Sequence, residues 1–144
     1  MAVVDADGLI LGRLCTHLAK RLLNGEEIIV INAEKALVSG RPAQLFQHYK
    51  HRRERASSQM KAKGPYYPRT PDLILKRTVR GMVEYKKPRG RDAYRRLKVY
   101  VGVPKDLKAE KAETLESAKK PNLLRYTSLE EIAKHMGSKR GVAK

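Results

Sequence analysis

The start of the chain is arranged like the phosphate-binding turn of a dinucleotide enzyme. A short apolar strand pattern leads to Gly8 and Gly12, then to a helical pattern, a second apolar run and Glu34. Such a turn needs the spacing G-x-G-x-x-G, because bare backbone must approach the pyrophosphate. In "GLILG" three large apolar residues stand between the glycines instead. We therefore interpret Gly8 as a tight turn and Gly12 as a close-packing position, and we expect no cofactor.

Few other residues have the spacing that catalysis or metal binding needs. His48 and His51 lie one helical turn apart, but the single cysteine, Cys15, is far from them in sequence and the pair lacks two further ligands. Ser39 and Ser128 have no neighbouring base in sequence. We expect no metal, no small-molecule substrate and no enzymatic activity. One cysteine cannot form an internal disulfide, which is typical of a cytosolic protein.

The strongest chemical signal is a concentration of positive charge in the middle of the chain. The 144 residues carry a net charge of +17. Residues 1–40 have a net charge of −1, residues 41–98 of +14 and residues 99–144 of +4. Surface charge that served only solubility would be spread more evenly. The distribution predicts a surface dedicated to an anionic partner, with nucleic acid the first candidate and an anionic membrane the second.

The composition of the central segment favours RNA. Arginine outnumbers lysine there, and its planar fork binds phosphate through two hydrogen bonds and stacks on bases. Tyr66 and Tyr67 alternate with Lys63 and Arg69 in a proline-rich loop, which supplies flat stacking surfaces beside the charge. The lysines and arginines recur on several predicted elements, not on one recognition helix. That scatter is typical of proteins that contact a folded RNA.

The elements that must position these residues begin with a βαβ unit. Residues 2–6 predict a strand, and apolar positions spaced by three and four predict a helix over residues 12–23. Asn24-Gly25 is a typical helix end. The unbroken apolar run 27–33 predicts a strand buried on both faces, as in a parallel sheet.

Two basic helices are predicted next, with an extended loop over residues 57–71 between them. Pro42 begins the first, and Thr70-Pro71-Asp72 begins the second with a capping hydroxyl, a proline and an acid. In the second helix the apolar residues share one side. Lys76, Arg77 and Arg80 occupy the side that the core leaves free.

The remaining pattern is less regular. We expect "YKKPRGR" (85–91) to break the helix, a short helical turn near residues 93–97 and a strand over residues 97–103. Beyond Pro104 the mixed-charge segment predicts a solvated arm or helix that does not belong to the core. A capping box, Ser128 with Glu131, then begins a short helix that Gly137 ends, before a basic tail. The predicted division is a core of residues 1–104 and an extension of residues 105–144.

No apolar run is long enough to cross a bilayer, and the first residues lack the basic start of a signal peptide. We therefore expect a cytoplasmic protein with no membrane partner.

Three stretches resemble large-subunit ribosomal protein thirteen, a family found in all ribosomes. They are "DGLILGRL", "VRGM" and "RLKVYVGVP", in this order and spacing, and the resemblance covers about residues 3–104. The segment "RPAQLFQHYKHRRERA" is similar to the archaeal and eukaryotic branch. The part after Pro104 matches poorly.

The resemblance implies a three-layer α/β/α fold around a small, mainly parallel sheet. It also implies a structural, non-catalytic component of the large ribosomal subunit, with ribosomal RNA and neighbouring ribosomal proteins as partners. Together with the charge pattern, it gives sixteen candidate RNA-binding residues. They are Arg52, Arg53, Arg55, Lys63, Tyr66, Tyr67, Arg69, Lys76, Arg77, Arg80, Lys86, Lys87, Arg89, Arg91, Arg95 and Arg96. Gly8, Gly12 and Gly81 are assigned to backbone geometry.

Two other functions stay open at this point. One is a dinucleotide-dependent enzyme built on residues 3–34, and the other is a protein that coats DNA without sequence preference. Cofactor binding would support the first, and equal affinity for duplex DNA and folded ribosomal RNA would support the second.

Overall fold

A computed structural model describes residues 1–55, 65–104, 112–119 and 122–138. Their strands are β1 (Ala2–Asp5), β2 (Ile28–Ile31), β3 (Leu37–Ser39), β4 (Leu97–Val99) and β5 (Tyr126–Ser128). Their α-helices are α1 (Leu11–Leu23), α2 (Pro42–Glu54), α3 (Pro71–Met82), α4 (Pro88–Arg95) and α5 (Leu129–His135). Short 3₁₀ turns cover Ala33–Lys35 and Glu116–Ala118. No helix in these ranges is both long and apolar enough to cross a membrane.

The centre of the fold is a parallel sheet of three strands in the order β1-β2-β4. Val30 of β2 pairs with Val4 on one side and with Val99 on the other. All four residues of β2 are buried, as the unbroken apolar run predicted. Together with the helices packed around this sheet, the topology confirms the predicted α/β/α fold class.

Helix α1 forms because leucines recur at a spacing of three and four along it. Leu14, Leu18 and Leu22 are fully buried on its inner face. Two hydrogen bonds close its end, from the amide of Gly25 to the carbonyl of Leu22 and from Glu26 to Arg21. Gly25 has φ +100°, which a side chain would strain, so the predicted helix end is confirmed.

The C-terminal part of the chain is more firmly attached to the core than the sequence predicted. Glu113 forms a parallel bridge with Val4, with backbone hydrogen bonds of 2.8 Å to Val3 and 3.0 Å from Asp5. Ala118 is fully buried and its carbonyl accepts a hydrogen bond from Ile10. The expectation of a solvated arm is therefore wrong for residues 112–119. Residues 105–111 lie outside the described part of the chain.

A second, two-stranded sheet joins β3 and β5 in antiparallel register. Helix α5 follows β5 directly, and the hydroxyl of Ser128 accepts a hydrogen bond of 3.2 Å from the amide of Glu131. The predicted cap is confirmed. Gly137 follows with φ +76° and ends the helix, also as predicted. The predicted basic tail, residues 139–144, is outside the described residues.

Several local predictions were wrong. The hydroxyl of Thr70 does not cap α3 and has no partner among the described residues. A Cβ added at Gly12 would meet nothing within 4 Å, so this residue is not a close-packing position. The helix break predicted over residues 85–91 does occur, at residues 83–87, but α4 begins at Pro88 and not near residue 93. Of the predicted loop, residues 57–64 are not described and residues 65–70 have no regular structure.

Candidate nucleic-acid interface

Helix α3 presents basic side chains on one side because its two sides differ in composition. Ile74, Leu75 and Val79 are buried against the core. Their spacing leaves the opposite side of the helix to Lys76, Arg77 and Arg80, which fall between the apolar positions. The charges of α3 therefore do not interrupt the core.

Three of these cations lie over tyrosine rings. The guanidinium of Arg77 is 4.1 Å from the ring centre of Tyr67, and that of Arg80 is 4.2 Å from the ring centre of Tyr85. The ammonium of Lys76 is 5.3 Å from the ring centre of Tyr94. A cation over an aromatic face is attracted by the ring quadrupole and held in place. The N–H groups at the edge of a stacked guanidinium stay free to bind phosphate.

Two of these tyrosines are themselves in contact. Tyr85 and Tyr94 meet edge to face with 5.3 Å between ring centres. Burial raises the pKa of Tyr94 above its ordinary value, against a smaller opposing effect of Arg80. The ring therefore keeps its proton at neutral pH and offers the cations a neutral π face.

Helix α2 extends this arrangement. Arg52 and Arg77 line one cleft of about 200 Å³ together with Tyr49 and Tyr67. Burial, then the charges of Arg52, Arg55 and His51, lower the pKa of His48, so its imidazole is neutral at pH 7. A lowered histidine pKa is the effect expected where cations are crowded.

A second cleft continues from Arg77 to the turn after α3. It has a volume of about 620 Å³ and is lined by Arg77, Arg80, Lys86 and Lys87, among others. We call the connected set the basic surface. Its members are Arg52, Tyr67, Lys76, Arg77, Arg80, Tyr85, Lys86, Lys87 and Tyr94.

Comparison with known protein families identifies the chain. The family model described as ribosomal protein L13 matches residues 1–106. The chain belongs to the ribosomal protein L13 family. The resemblance stated above is confirmed, and so is the prediction that the chain is not an enzyme, because members of this family are structural proteins. Its place in the cell is the ribosome, in the cytoplasm.

Three archaeal relatives, each named large ribosomal subunit protein uL13, show how far this similarity extends. The one from Archaeoglobus fulgidus is 50% identical over 138 residues, which cover 94% of this chain and 86% of the relative. The one from Methanosarcina barkeri is 52% identical over 142 residues, or 96% of this chain and 99% of the relative. For Methanocaldococcus jannaschii the identity is 44% over 140 residues, with 96% and 99% covered. The family match ends at residue 106, whereas these alignments continue well beyond it.

Four of the predicted arginines donate hydrogen bonds to backbone carbonyls of the protein. Arg96 and Arg89 bind the carbonyls of Leu22 and Leu23, at 3.1 Å and 3.4 Å, and so cover the C-terminal end of α1. Arg53 donates to the carbonyl of Met136 at 3.1 Å, and Arg77 to that of Tyr66. Cations at helix ends stabilise the unpaired carbonyls there. Arg89, Arg96 and Arg53 thus have structural partners and lie off the basic surface.

The other predicted residues are exposed or lie elsewhere. Arg55, Arg91 and Tyr66 are exposed. Arg95 forms a salt bridge of 3.4 Å with Asp92 on the surface of α4, and Arg69 lies near Gly137, beyond the end of α5. Lys63 lies outside the described residues.

The sequence reasoning missed the aromatic half of the surface. Tyr85 and Tyr94 support Arg80 and Lys76, but neither was among the candidates. The alternation of tyrosines with bases that drew attention to Tyr66 and Tyr67 also occurs over residues 85–95 and could have identified them.

Features that suggested an enzyme have ordinary roles. Gly8 has φ +69° and makes the turn between β1 and α1. Glu34, the acid after the second apolar run, accepts a hydrogen bond of 2.9 Å from the amide of Gly102. His48 and His51 are exposed, and the described residues contain no group of three metal-ligating side chains.

Proposed function

We propose that this protein is a structural component of the large ribosomal subunit that binds and organises ribosomal RNA, during assembly and in the mature ribosome. The main support for this proposal is the basic surface, where cations from α2, α3 and the turn after α3 line two connected clefts. The cations of α3 are held there over tyrosine rings. The relatives named as large-subunit proteins support the choice of particle.

The arrangement suits a folded RNA in three respects. The basic side chains of the protein come from separate elements, so they meet phosphates that approach from different directions. The guanidinium groups are already oriented, so little side-chain entropy is lost on binding. The basic surface also lacks the single projecting helix with which most sequence-specific DNA-binding proteins enter the major groove.

Affinity would come mainly from the counterions that leave the RNA when basic side chains neutralise its phosphates. The basic surface offers six cations, Arg52, Lys76, Arg77, Arg80, Lys86 and Lys87. If each neutralises one phosphate, the logarithm of affinity falls with a slope of about −4 to −5 against the logarithm of salt. Raising the salt from about 50 to 200 mM should then weaken binding by roughly a thousandfold.

The test is filter binding of purified archaeal large-subunit ribosomal RNA across a salt series. Replacing Arg80 with Gln should weaken binding at low salt and reduce the slope by about one unit. Lys20→Gln is the matched control, because Lys20 is an exposed base on α1, away from the basic surface. A flat salt response, equal effects of both substitutions, or equal competition by duplex DNA would contradict the proposal.

Neighbouring ribosomal proteins are the second class of partner that we propose. Leu124 is 96% exposed and Tyr126 is 53% exposed, in the part of the chain that precedes α5. Apolar side chains left in water at such a position are typical of a contact with another protein. We also propose that exposed residues of the C-terminal extension, residues 105–144, reach such neighbours, whereas its buried residues, such as Leu129 and Ile132, belong to the core.

A further inference from the structure

The cleft after α3 differs from the rest of the basic surface. It lies between the last turn of α3 and residues 83–87. Gly81 and Glu84 line it beside the four basic side chains already named. Neither residue is needed to bind phosphate. Their presence indicates a more specific ligand.

Gly81 is the first of these residues. It lies in regular helix, is exposed, and has no positive φ. A Cβ added there would meet nothing within 4 Å. Glycine destabilises a helix relative to alanine, and neither backbone strain nor crowding requires it at this position. What the glycine provides is bare backbone on the floor of the cleft, where a flat group from outside can approach closely.

The wall of the cleft is a stacked pair. Arg80 lies over Tyr85, so one face of its guanidinium is covered and the other is turned away from the ring. Guanidinium planes and tyrosine rings are the groups on which proteins stack unpaired RNA bases. A base that entered over Gly81 would extend this stack.

Glu84 indicates which part of a nucleotide enters the cleft. Its carboxylate is exposed and forms a salt bridge of 2.9 Å with Lys87. A carboxylate repels a phosphate, but it accepts hydrogen bonds from the N–H groups of adenine, cytosine and guanine. A cleft for phosphate alone would be better without it.

We propose that this cleft binds one unpaired base of RNA. The base stacks on Arg80, passes over the bare backbone of Gly81 and donates a hydrogen bond to Glu84, while Lys86 and Lys87 meet its phosphates. This inference rests on the proposed function, and it adds a ligand class for one site. It requires a flipped or single-stranded nucleotide, which a regular double helix does not offer.

The test fills the cleft without removing charge. Gly81→Gln should weaken binding of large-subunit ribosomal RNA by roughly 5- to 100-fold, the loss that follows from about 1–3 kcal/mol for one stacked base. The salt slope should not change, because no phosphate contact is lost. Gly12→Gln is the matched control, since Gly12 is also an exposed helical glycine with open space around it, and it should bind as the native chain does.

A second measurement reports on the base itself. An oligouridylate with one 2-aminopurine, whose uracil neighbours stack on it only weakly, should lose fluorescence on binding the native chain, through stacking in the cleft, and should keep it with Gly81→Gln. Glu84→Ala should weaken binding, whereas a cleft that holds only phosphate would bind more tightly without the carboxylate.

The outcomes separate the two proposals. A steep salt response with full affinity of Gly81→Gln overturns the base site and leaves the proposed function standing. A flat response of the native chain overturns both. Ultraviolet crosslinking of the intact particle should attach a nucleotide to Tyr85, and a crosslink from Tyr85 to a neighbouring protein would also overturn the base site.

Discussion

Replacing Gly90 with alanine should destabilise the protein, although the substitution would stabilise an ordinary helix. Gly90 lies in the first turn of α4 and is buried. A Cβ there would be 2.4 Å from the carbonyl oxygens of both Val83 and Glu84. These are backbone atoms of the preceding turn, so the contact cannot be relieved by a side-chain rotation.

The magnitude follows from two opposing effects. The contacts fall about 1 Å short of ordinary van der Waals distance, and such overpacking typically costs about 1–3 kcal/mol. Alanine in a helix returns roughly 0.5–1 kcal/mol relative to glycine. Because two backbone atoms are met at once, the cost lies in the upper part of that range, and the net loss is about 1–2.5 kcal/mol. Such a loss lowers the melting temperature by roughly 3–8 °C for a domain of this size.

The assay is thermal unfolding followed by circular dichroism, with Gly81→Ala as the matched control. Gly81 is a helical glycine with open space around it, so its replacement should leave the melting temperature equal or higher. A Gly90→Ala protein that melts at or above the native temperature would refute the reasoning. The fit of α4 against residues 83–84 would then be looser than the distances indicate.

Other substitutions test single contacts. Ser128→Ala should destabilise by about 1 kcal/mol through loss of the α5 cap, whereas Thr70→Val should leave urea unfolding unchanged or improved. Lys86→Ala should lower RNA affinity at an unchanged melting temperature, whereas Arg96→Ala should lower the melting temperature because it exposes the end of α1. Burial raises the pKa of Cys15 from 9.0 to about 12, so stability is full below pH 9 and falls as the pH rises from 9 towards 12. Urea unfolding across that range should show the loss, and Cys15→Ala should reduce this pH dependence and leave the part that comes from the raised pKa values of Tyr49 and Tyr94.

The parts of the fold that follow local pattern could be predicted. The leucine spacing of α1 and the apolar run of β2 each fix an element through neighbouring residues alone. The cap at Ser128 is equally local, since donor and acceptor lie three residues apart. These elements were predicted to within a few residues of their observed ends.

The parts that failed depend on contacts between distant residues. The bridge between Val4 and Glu113 joins positions more than a hundred residues apart, and no pattern in a mixed-charge segment predicts it. Thr70 had the right residue type and position for a cap, yet its hydroxyl turned inward. The start of α4 was missed because proline and glycine usually interrupt a helix. Here Pro88 is the first residue of the helix, where proline is favoured. Gly90 packs against the backbone of Val83 and Glu84, where a side chain would not fit.

The candidate site divides in the same way. Its charge was visible because arginines can be counted along a chain. Which tyrosine supports which cation was not, because the turn at residues 83–87 brings Tyr85 back over Arg80. Gly12 was misjudged because a sequence does not reveal which glycines face open space, whereas the turn at Gly8 was predicted correctly.

The density of charge in residues 41–98 also has a structural explanation. Part of it is used inside the protein, where Arg89 and Arg96 cover the end of α1 and Arg53 binds a carbonyl near the end of α5. Another part is stacked on tyrosine, which offsets some of the repulsion between neighbouring cations. A count of bases therefore overstates the charge available to a partner. The salt slope of RNA binding should reflect the six cations of the basic surface more closely than the eighteen bases of the segment, and a slope near the larger number would mean that the internal contacts are given up on binding.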